Sequence, residues 1–423
     1  MGRPSKLRAM WAAGRIAGRR VLRRKEGAQD EHLGEVLSDQ LDQMKGLAMK
    51  VGQIVSYMEV PVPAAVQDKL ARLQKGVRGM PEDDTRAALE AALGSDWASR
   101  FDAFELVPFA AASIGQVHRA TYEGNPIAFK LRYPEVAESI GGDLTTMRRV
   151  ASLASLASAV DGQAIVDELA DRFSEECDYE REARFQSLFA RAYADVPAIV
   201  VPEAIDALTT ESTLATTWSD GMPFASACQQ PESNRVRYAR ALVRFAYRSL
   251  FELGTIHADP HPGNFLFEDD GRVTCLDFGC VRTFEPAFVR ALRAIIVAVD
   301  EGDRAGFRDA IVAIGMAPKP ERFDFGHAFE MMEHLYRPLL QPSFAFTPAY
   351  MREAMEYNGP TNPNARHMDL PGPYLWIARV QWGLWSLLIK LGVTVELRDI
   401  LDEVLACRLR GLTEQGADAA RAD

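Results

Sequence analysis

Apolar and polar residues alternate along this chain with two different periods. At 127–131 the period is two: Ile127, Phe129 and Leu131 fall on one side, Ala128 and Lys130 on the other, as in a half-buried strand. The turn Glu123-Gly124-Asn125 precedes this strand, behind Thr121-Tyr122. A hairpin is predicted where the apolar run Phe265-Leu266-Phe267, the turn Asp269-Asp270-Gly271 and the run Val273–Leu276 follow one another. Thr213–Thr217 reads as one more strand. Elsewhere the period is helical. Leu47, Val51, Ile54 and Val55 form one stripe, and Gly52 lets another element pack closely. Ile165, Leu169, Phe173, Phe185, Leu188 and Phe189 keep helical spacing with carboxylates between them, and helices are predicted over 235–253 and 286–314. The proline-rich stretch 337–373 is expected to be a long surface loop with short helices.

Composition narrows the class. The 423 residues are 48% hydrophobic, ample for a large enzyme core. Net charge is −11, from 48 basic and 59 acidic residues, which argues against nucleic acid as a partner. The first 25 residues run the other way, with nine Arg and Lys, no acid, and Leu7, Met10, Trp11, Ile16 and Val21 interleaved. That arm suits an amphipathic helix on an anionic membrane surface, and equally a disordered tail or a presequence. The apolar stretch Tyr374–Val395 is interrupted by Arg379, Gln381 and Lys390, so it reads as a packing helix and not a membrane span. Cys177, Cys228, Cys275, Cys280 and Cys407 show no repeating metal spacing and suit a reducing compartment. The expected location is cytoplasmic, with peripheral membrane contact through the basic arm.

The chemistry concentrates at 257–279. His257-Ala258-Asp259-Pro260-His261-Pro262-Gly263-Asn264 leads into the second hairpin, which ends on Asp277-Phe278-Gly279. An Asp, an Asn five positions on, a short strand, a turn and Asp-Phe-Gly is the order in which kinases place their catalytic base and metal ligands. Mg²⁺ takes hard oxygen ligands, with one or two carboxylates and the rest from phosphates and water, so Asn264 and Asp277 suit it. Asp259 would then address the transferring group. The second Asp-Phe-Gly, at Asp324-Phe325-Gly326, has no upstream Asp-x-x-x-x-Asn and is read as coincidence.

A phosphate-covering loop and a lysine should lie upstream. Ala110-Ala111-Ala112-Ser113-Ile114-Gly115-Gln116-Val117 occupies the loop position, and Lys130 is the candidate phosphate anchor. Alanines stand where kinases use glycines. They permit close approach of phosphate but remove positive-φ conformations, so nucleotide pose should differ from that in protein kinases. Thr217 and Trp218 resemble a kinase hinge whose backbone would bond adenine.

With Lys50-Val51-Gly52-Gln53 and Glu176-Cys177-Asp178 added, the chain resembles the UbiB-like atypical kinases, the coenzyme-Q biosynthesis kinase and ATPase group. The motifs lie in family order across about residues 35–290. The resemblance implies an α+β, two-lobed protein-kinase-like fold, with an N-terminal helical extension over the cleft and a mainly helical C-lobe. The boundaries expected are a basic arm at 1–34, the extension at 35–100, an N-lobe at 101–219 and a C-lobe at 220–423. ATP and Mg²⁺ are the implied cofactors, with the nucleotide against residues 110–117, Ala128, Lys130, Thr217 and Trp218. Glu182 is implied to pair with Lys130. On a continuous helix Asp178 and Glu182 share a face while Glu176 lies about 120° from Glu182. Glu176 and Asp178 are implied to form an acidic pair near Lys50 and the metal, and Lys50 to point into the active site where a protein substrate would sit. The function expected is ATP hydrolysis or phosphorylation of a small or lipid-like molecule, with a lipid or quinone precursor as a further ligand and poor activity on proteins in trans. An aminoglycoside-type phosphotransferase shares the His-x-Asp-x-x-x-x-Asn loop but gives no reason for Lys50-Val51-Gly52-Gln53 or the alanines. A nucleotide-gated scaffold is the third reading.

Overall fold

The alternation at 127–131 becomes the centre of a five-stranded antiparallel sheet in a computed structural model that describes residues 79–111, 114–134, 175, 177–359, 361–407 and 409. The basic arm, the Lys50–Gln53 element, Glu176, Ala112 and Ser113 lie outside the described residues. Two compact units emerge. One holds the described residues up to Ala183 together with Ala204–Trp218, and the other holds Arg184–Glu203 and the chain from Ser219 onward.

Among the described residues the first unit opens with helix α1 (Glu82–Leu93) and strands β1 (Ala103–Phe104) and β2 (Ala110–Ala111). Strands β3 (Gly115–Tyr122) and β4 (Asn125–Arg132) follow as a hairpin in the register Tyr122↔Asn125. Its two-residue turn puts Glu123 and Gly124 both at positive φ, 51° and 76°, the geometry that matches the twist of the flanking strands. Ile127, Phe129 and Leu131 are fully buried against Leu89, Phe101 and Leu208, and Phe101 and Phe104 meet Phe129 edge-on at 5.4 and 5.5 Å. Gly115 permits close packing, since a Cβ there would lie 2.4 Å from the Leu131 carbonyl oxygen.

Helix α2 (Tyr179–Tyr193) runs from the first unit into the second. It does not continue through the acidic segment as the apolar spacing suggested. Asp178 stands outside it and caps it, its carboxylate accepting from the Arg181 N–H at 2.8 Å, because an exposed helix start has unpaired amides that an aspartate can satisfy. Strand β5 (Ile199–Val200) belongs to the second unit, and β6 (Thr213–Thr217) returns to the first and pairs with β4.

From there the second unit is mainly helical. Strand β7 (Met222–Pro223) and the single turn α3 (Phe224–Ala227) lead to α4 (Glu232–Arg248). A π-helical turn, Ser249–Leu253, extends α4 until Gly254 ends it at φ 64°. Strands β8 (Thr255–His257), β9 (Phe265–Phe267), β10 (Val273–Cys275) and β11 (Val281–Thr283) then carry the 257–279 motif. Cys275 is fully buried and burial pushes its thiol up, so it packs as a small apolar residue. The segment 286–314 forms two helices, α5 (Pro286–Glu301) and α6 (Arg304–Ala313), because Gly302 turns left-handed at φ 69° and Asp303 caps the second.

The stretch 337–373 corrects the surface-loop expectation. Helix α7 (Phe325–Leu340) runs through Pro338, and α8 (Pro348–Tyr357) follows strand β12 (Phe344–Ala345). A proline in a helix leaves the carbonyl four residues back without its amide. Here the Tyr350 hydroxyl donates to that carbonyl, His334 O, at 3.0 Å, and Tyr350 is buried. Asp324 of the second Asp-Phe-Gly caps α7 through the His327 N–H, a structural role.

Helix α9 (Gly372–Leu391) matters most for the site. Strand β13 (Thr394–Val395) and helix α10 (Arg398–Ala406) complete the described chain. Among the described residues no helix is long and apolar enough to cross a membrane. Gly383 of α9 faces Pro260, and a Cβ there would lie 2.2 Å from the proline Cγ. Gly383→Ala should therefore cost about 1–3 kcal/mol through overpacking against a rigid ring, read as a lower denaturant midpoint. An unchanged midpoint would mean that this contact is not tight in solution.

Candidate active site

The 257–279 segment folds so that Asp259 and Asn264 hydrogen-bond to each other and Asp277 follows the strand paired with the one that Asn264 opens. Strand β8 delivers His257 and the buried Ala258, whose N–H donates to Cys280 O at 2.8 Å, and Asp259 follows. Pro262–Asn264 makes a single 3₁₀ turn capped by His261, whose Nδ1 accepts from the Gly263 N–H. The β9–β10 hairpin is closed at its base by Leu276 N–H donating to Asn264 O at 2.8 Å, so Asn264 and Asp277 emerge side by side.

Asn264 is nearly buried, 9% exposed, and its Nδ2 donates to the Asp259 Oδ2 at 2.8 Å and to the Asp259 carbonyl at 3.1 Å. With its nitrogen so engaged, the carboxamide turns its oxygen away from Asp259, the oxygen being the atom a hard cation requires. The other oxygen of Asp259 accepts from Arg379 of α9 at 2.9 Å.

Asp277 adopts φ 57°, one of two described non-glycine residues at positive φ. Such a conformation costs of order 1 kcal/mol or more and needs restraint from its surroundings. His257 supplies it. Its Nε2 lies 2.7 Å from Asp277 O and 3.0 Å from Leu276 O, so this nitrogen carries the proton and is shared between both carbonyls. Phe278 is fully buried, meeting His257 edge-on at 5.3 Å and Phe189 at 5.0 Å, which anchors the chain on the other side of Asp277. The Gly279 N–H donates to Asp277 Oδ1 at 3.3 Å.

The first unit, taken by itself, holds a paired lysine and carboxylate. Lys130 Nζ donates to Glu182 Oε1 at 2.6 Å, with Glu182 3% exposed and Lys130 22%. The start of α2, where Glu182 sits, is held by Arg132, buried in β4, whose guanidinium donates to the Cys177 and Glu211 carbonyls. Ala110, Val117 and Lys130 lie in one row across β2, β3 and β4, and Ala128 is half-buried beside Lys130 on the same face. Ala110 and Ala111 are exposed, while Ile114 and Gly115 are buried.

Two of the expected nucleotide contacts take a different form. Gln116 is fully buried, its Oε1 accepting from the Met80 N–H at 2.7 Å and its Nε2 donating to Thr85 Oγ1 at 3.0 Å and to the His118 Nε2 at 2.9 Å. His118 is fixed in turn by its Nδ1 against Glu105 O, and burial lowers its pKa. The Gln116 backbone faces Leu131 in the β3–β4 ladder. The Trp218 N–H is donated to Pro126 O at 3.1 Å, extending the β4–β6 pairing, so it is not a donor for adenine. The indole carries Arg119 over its face at 4.5 Å and Phe109 edge-on at 5.1 Å.

Among the described residues no three His, Cys, Asp or Glu gather as a ready-made metal site. The donors present, one carboxylate and one amide oxygen, are the kind that Mg²⁺ shares with phosphate oxygens and water. Sequence reasoning quoted His257 within the motif without giving it a role, and gave Arg379 none. The first was legible as a polar residue ending a buried strand two positions before Asp259. The second was noticed only as a charge that breaks an apolar run.

These features define a kinase-like protein, and comparison with known proteins specifies which kind. A model of the ABC1 atypical kinase-like domain matches residues 72–311, and the chain belongs to that family. It is 32% identical over 265 residues to the mitochondrial atypical kinase COQ8B of Rattus norvegicus, covering 62% of this chain and 50% of that one. It is 26% identical over 383 residues to the mitochondrial atypical kinase COQ8 of Saccharomyces cerevisiae, covering 88% and 76%. The fold is shared with Rv3197 of Mycobacterium tuberculosis, solved in complex with erythromycin, at a TM-score of 0.68 and 28% identity over 89% of this chain and 98% of that one.

Two substitutions check this geometry. Lys130→Ala leaves Glu182 buried without its cation, which should cost about 3–5 kcal/mol in a denaturant titration, while a loss under about 1 kcal/mol would place the pair in solvent. His257→Phe keeps the ring but strips the shared donor from two carbonyls. Its expected cost is about 1–3 kcal/mol, and wild-type stability would show that Asp277 needs no such restraint.

Proposed function

We propose that this chain binds ATP with Mg²⁺ and cleaves its terminal phosphoanhydride, transferring the phosphoryl group to water or to a small or lipid-like acceptor and working poorly on proteins in trans. The observation that supports the reading is the Asp259–Asn264 hydrogen bond at one end of the hairpin, with Asp277 after its second strand at positive φ against a buried histidine. Strain of this kind is retained where a side chain must be presented at a fixed angle.

In this reading Asp277 and the Asn264 oxygen hold Mg²⁺, which neutralises charge on the phosphate oxygens when bound. Asp259 orients the nucleophile and accepts its proton at a carboxylate oxygen. Lys130, kept in place by Glu182, binds phosphate oxygens. The alanines at 110–112 let the backbone approach the phosphates without glycine's freedom, and Glu176, Asp178 and Lys50 are proposed to complete the family's metal and lid set. The kinship with the COQ8 atypical kinases supports a role in quinone or isoprenoid lipid metabolism, and the basic, apolar-interleaved composition of the first 25 residues supports contact with an anionic membrane surface.

A phosphate-release assay with Mg²⁺, with and without anionic liposomes or a phenolic quinone precursor, tests the reading on wild type and Asp277→Asn. Metal-held charge stabilisation is worth several kcal/mol, so the variant should lose on the order of a hundredfold in turnover while staying folded. Equal background rates from both proteins would remove the enzyme reading.

A further inference from the structure

Arg379 stands directly on the carboxylate proposed to accept the nucleophile's proton. Asp259 uses Oδ2 for Asn264, at 2.8 Å, and that bond together with the second one to its own carbonyl orients the side chain without outside help. Its remaining oxygen, Oδ1, is the one that Arg379 occupies at 2.9 Å. The pair is only partly buried, with 24% of Arg379 and 25% of Asp259 exposed, so a competitor can displace the guanidinium.

The arginine is itself held in place. Trp376, one turn earlier on α9, carries the Arg379 guanidinium 5.7 Å and the Arg282 guanidinium 4.4 Å from its ring centroid. Gly383, one turn later on the same helix, seats Pro260, the residue after Asp259. Helix α9 therefore touches the catalytic loop at consecutive residues, and it lies wholly beyond residue 311, where the matched family domain ends. A cation from outside that domain thus covers the proton-accepting oxygen.

We propose that Arg379 governs access to Asp259: a water or acceptor hydroxyl must displace its guanidinium from Oδ1 before it can hand over a proton, so the pair holds turnover down. The inference rests on the phosphoryl-transfer reading above. In the transfer step the hydroxyl oxygen bonds to the terminal phosphorus, the bond from that phosphorus to the bridging oxygen breaks with its electrons leaving on ADP, and the hydroxyl proton passes to Asp259.

Steady-state phosphate release by the full chain, with ATP and Mg²⁺, compares wild type with Arg379→Gln, Arg379→Lys and Arg282→Gln. A partly exposed ion pair is worth up to about 1 kcal/mol, so Arg379→Gln should raise kcat roughly two- to fivefold and leave the KM for ATP unchanged. Arg379→Lys, which keeps a cation within reach, should stay near wild type, as should Arg282→Gln, which unloads the same indole. In an Asp259→Asn background, Arg379→Gln should give no gain. A fall in kcat, an unchanged kcat, or a gain that survives Asp259→Asn would overturn the proposal. A wild type with no Asp277-dependent phosphate release would instead sink the nucleotide reading beneath it, unless Arg379→Gln alone uncovers release that requires Asp259, a result that would support both.

Discussion

One bifurcated hydrogen bond organises the 257–279 segment. The Nε2–H of His257 is shared by the carbonyls of Leu276 and Asp277, and it helps hold an aspartate at φ 57°, a conformation that Asp reaches more readily than most residues but still uncommonly. The histidine is itself buried between Phe245, Phe265 and Phe278, so the restraint is backed by aromatic packing on several sides. Because β8 also pairs with β11, the strands before Asp259 and after Asp277 are tied together, and the two carboxylates are positioned by one set of contacts.

Within each unit the candidate residues are supported from different parts of the chain. In the second unit the matched kinase-like domain supplies the side chains, while α9, outside it, braces the loop through Gly383 and caps Asp259 through Arg379. In the first unit the Lys130–Glu182 pair depends on the entry to α2. That entry is fixed by Asp178 capping its first amides and by the buried Arg132 on the Cys177 carbonyl.

Much of this was legible in the sequence because it is local. Period two at 127–131 gave a strand with Lys130 on the half-exposed face, and the apolar runs on either side of Asp269-Asp270-Gly271 identified the hairpin that Asn264 precedes and Asp277 follows. What escaped depends on contacts across long separations. The helix through Pro338 survives because a tyrosine 12 positions later satisfies the carbonyl left behind, and no periodicity announces that. Residues 110–117 and 217–218 were read as a loop and a hinge from their place in the chain, which does not show that the Gln116 side chain and the Trp218 amide bond to neighbours distant in sequence, Met80 and Thr85 in one case and Pro126 in the other. Arg379 lies 120 residues from its partner, where sequence shows only a charge in an apolar helix.

The most direct measurement is electron paramagnetic resonance of Mn²⁺, standing in for Mg²⁺, with ATP and the folded full-length chain. The expected result is a protein-bound Mn²⁺–ATP signal in wild type that reverts to that of free Mn²⁺–ATP when Asp277 is replaced by Asn. The same bound signal from both proteins would show that Asp277 holds no metal, and the strained aspartate would then need another explanation.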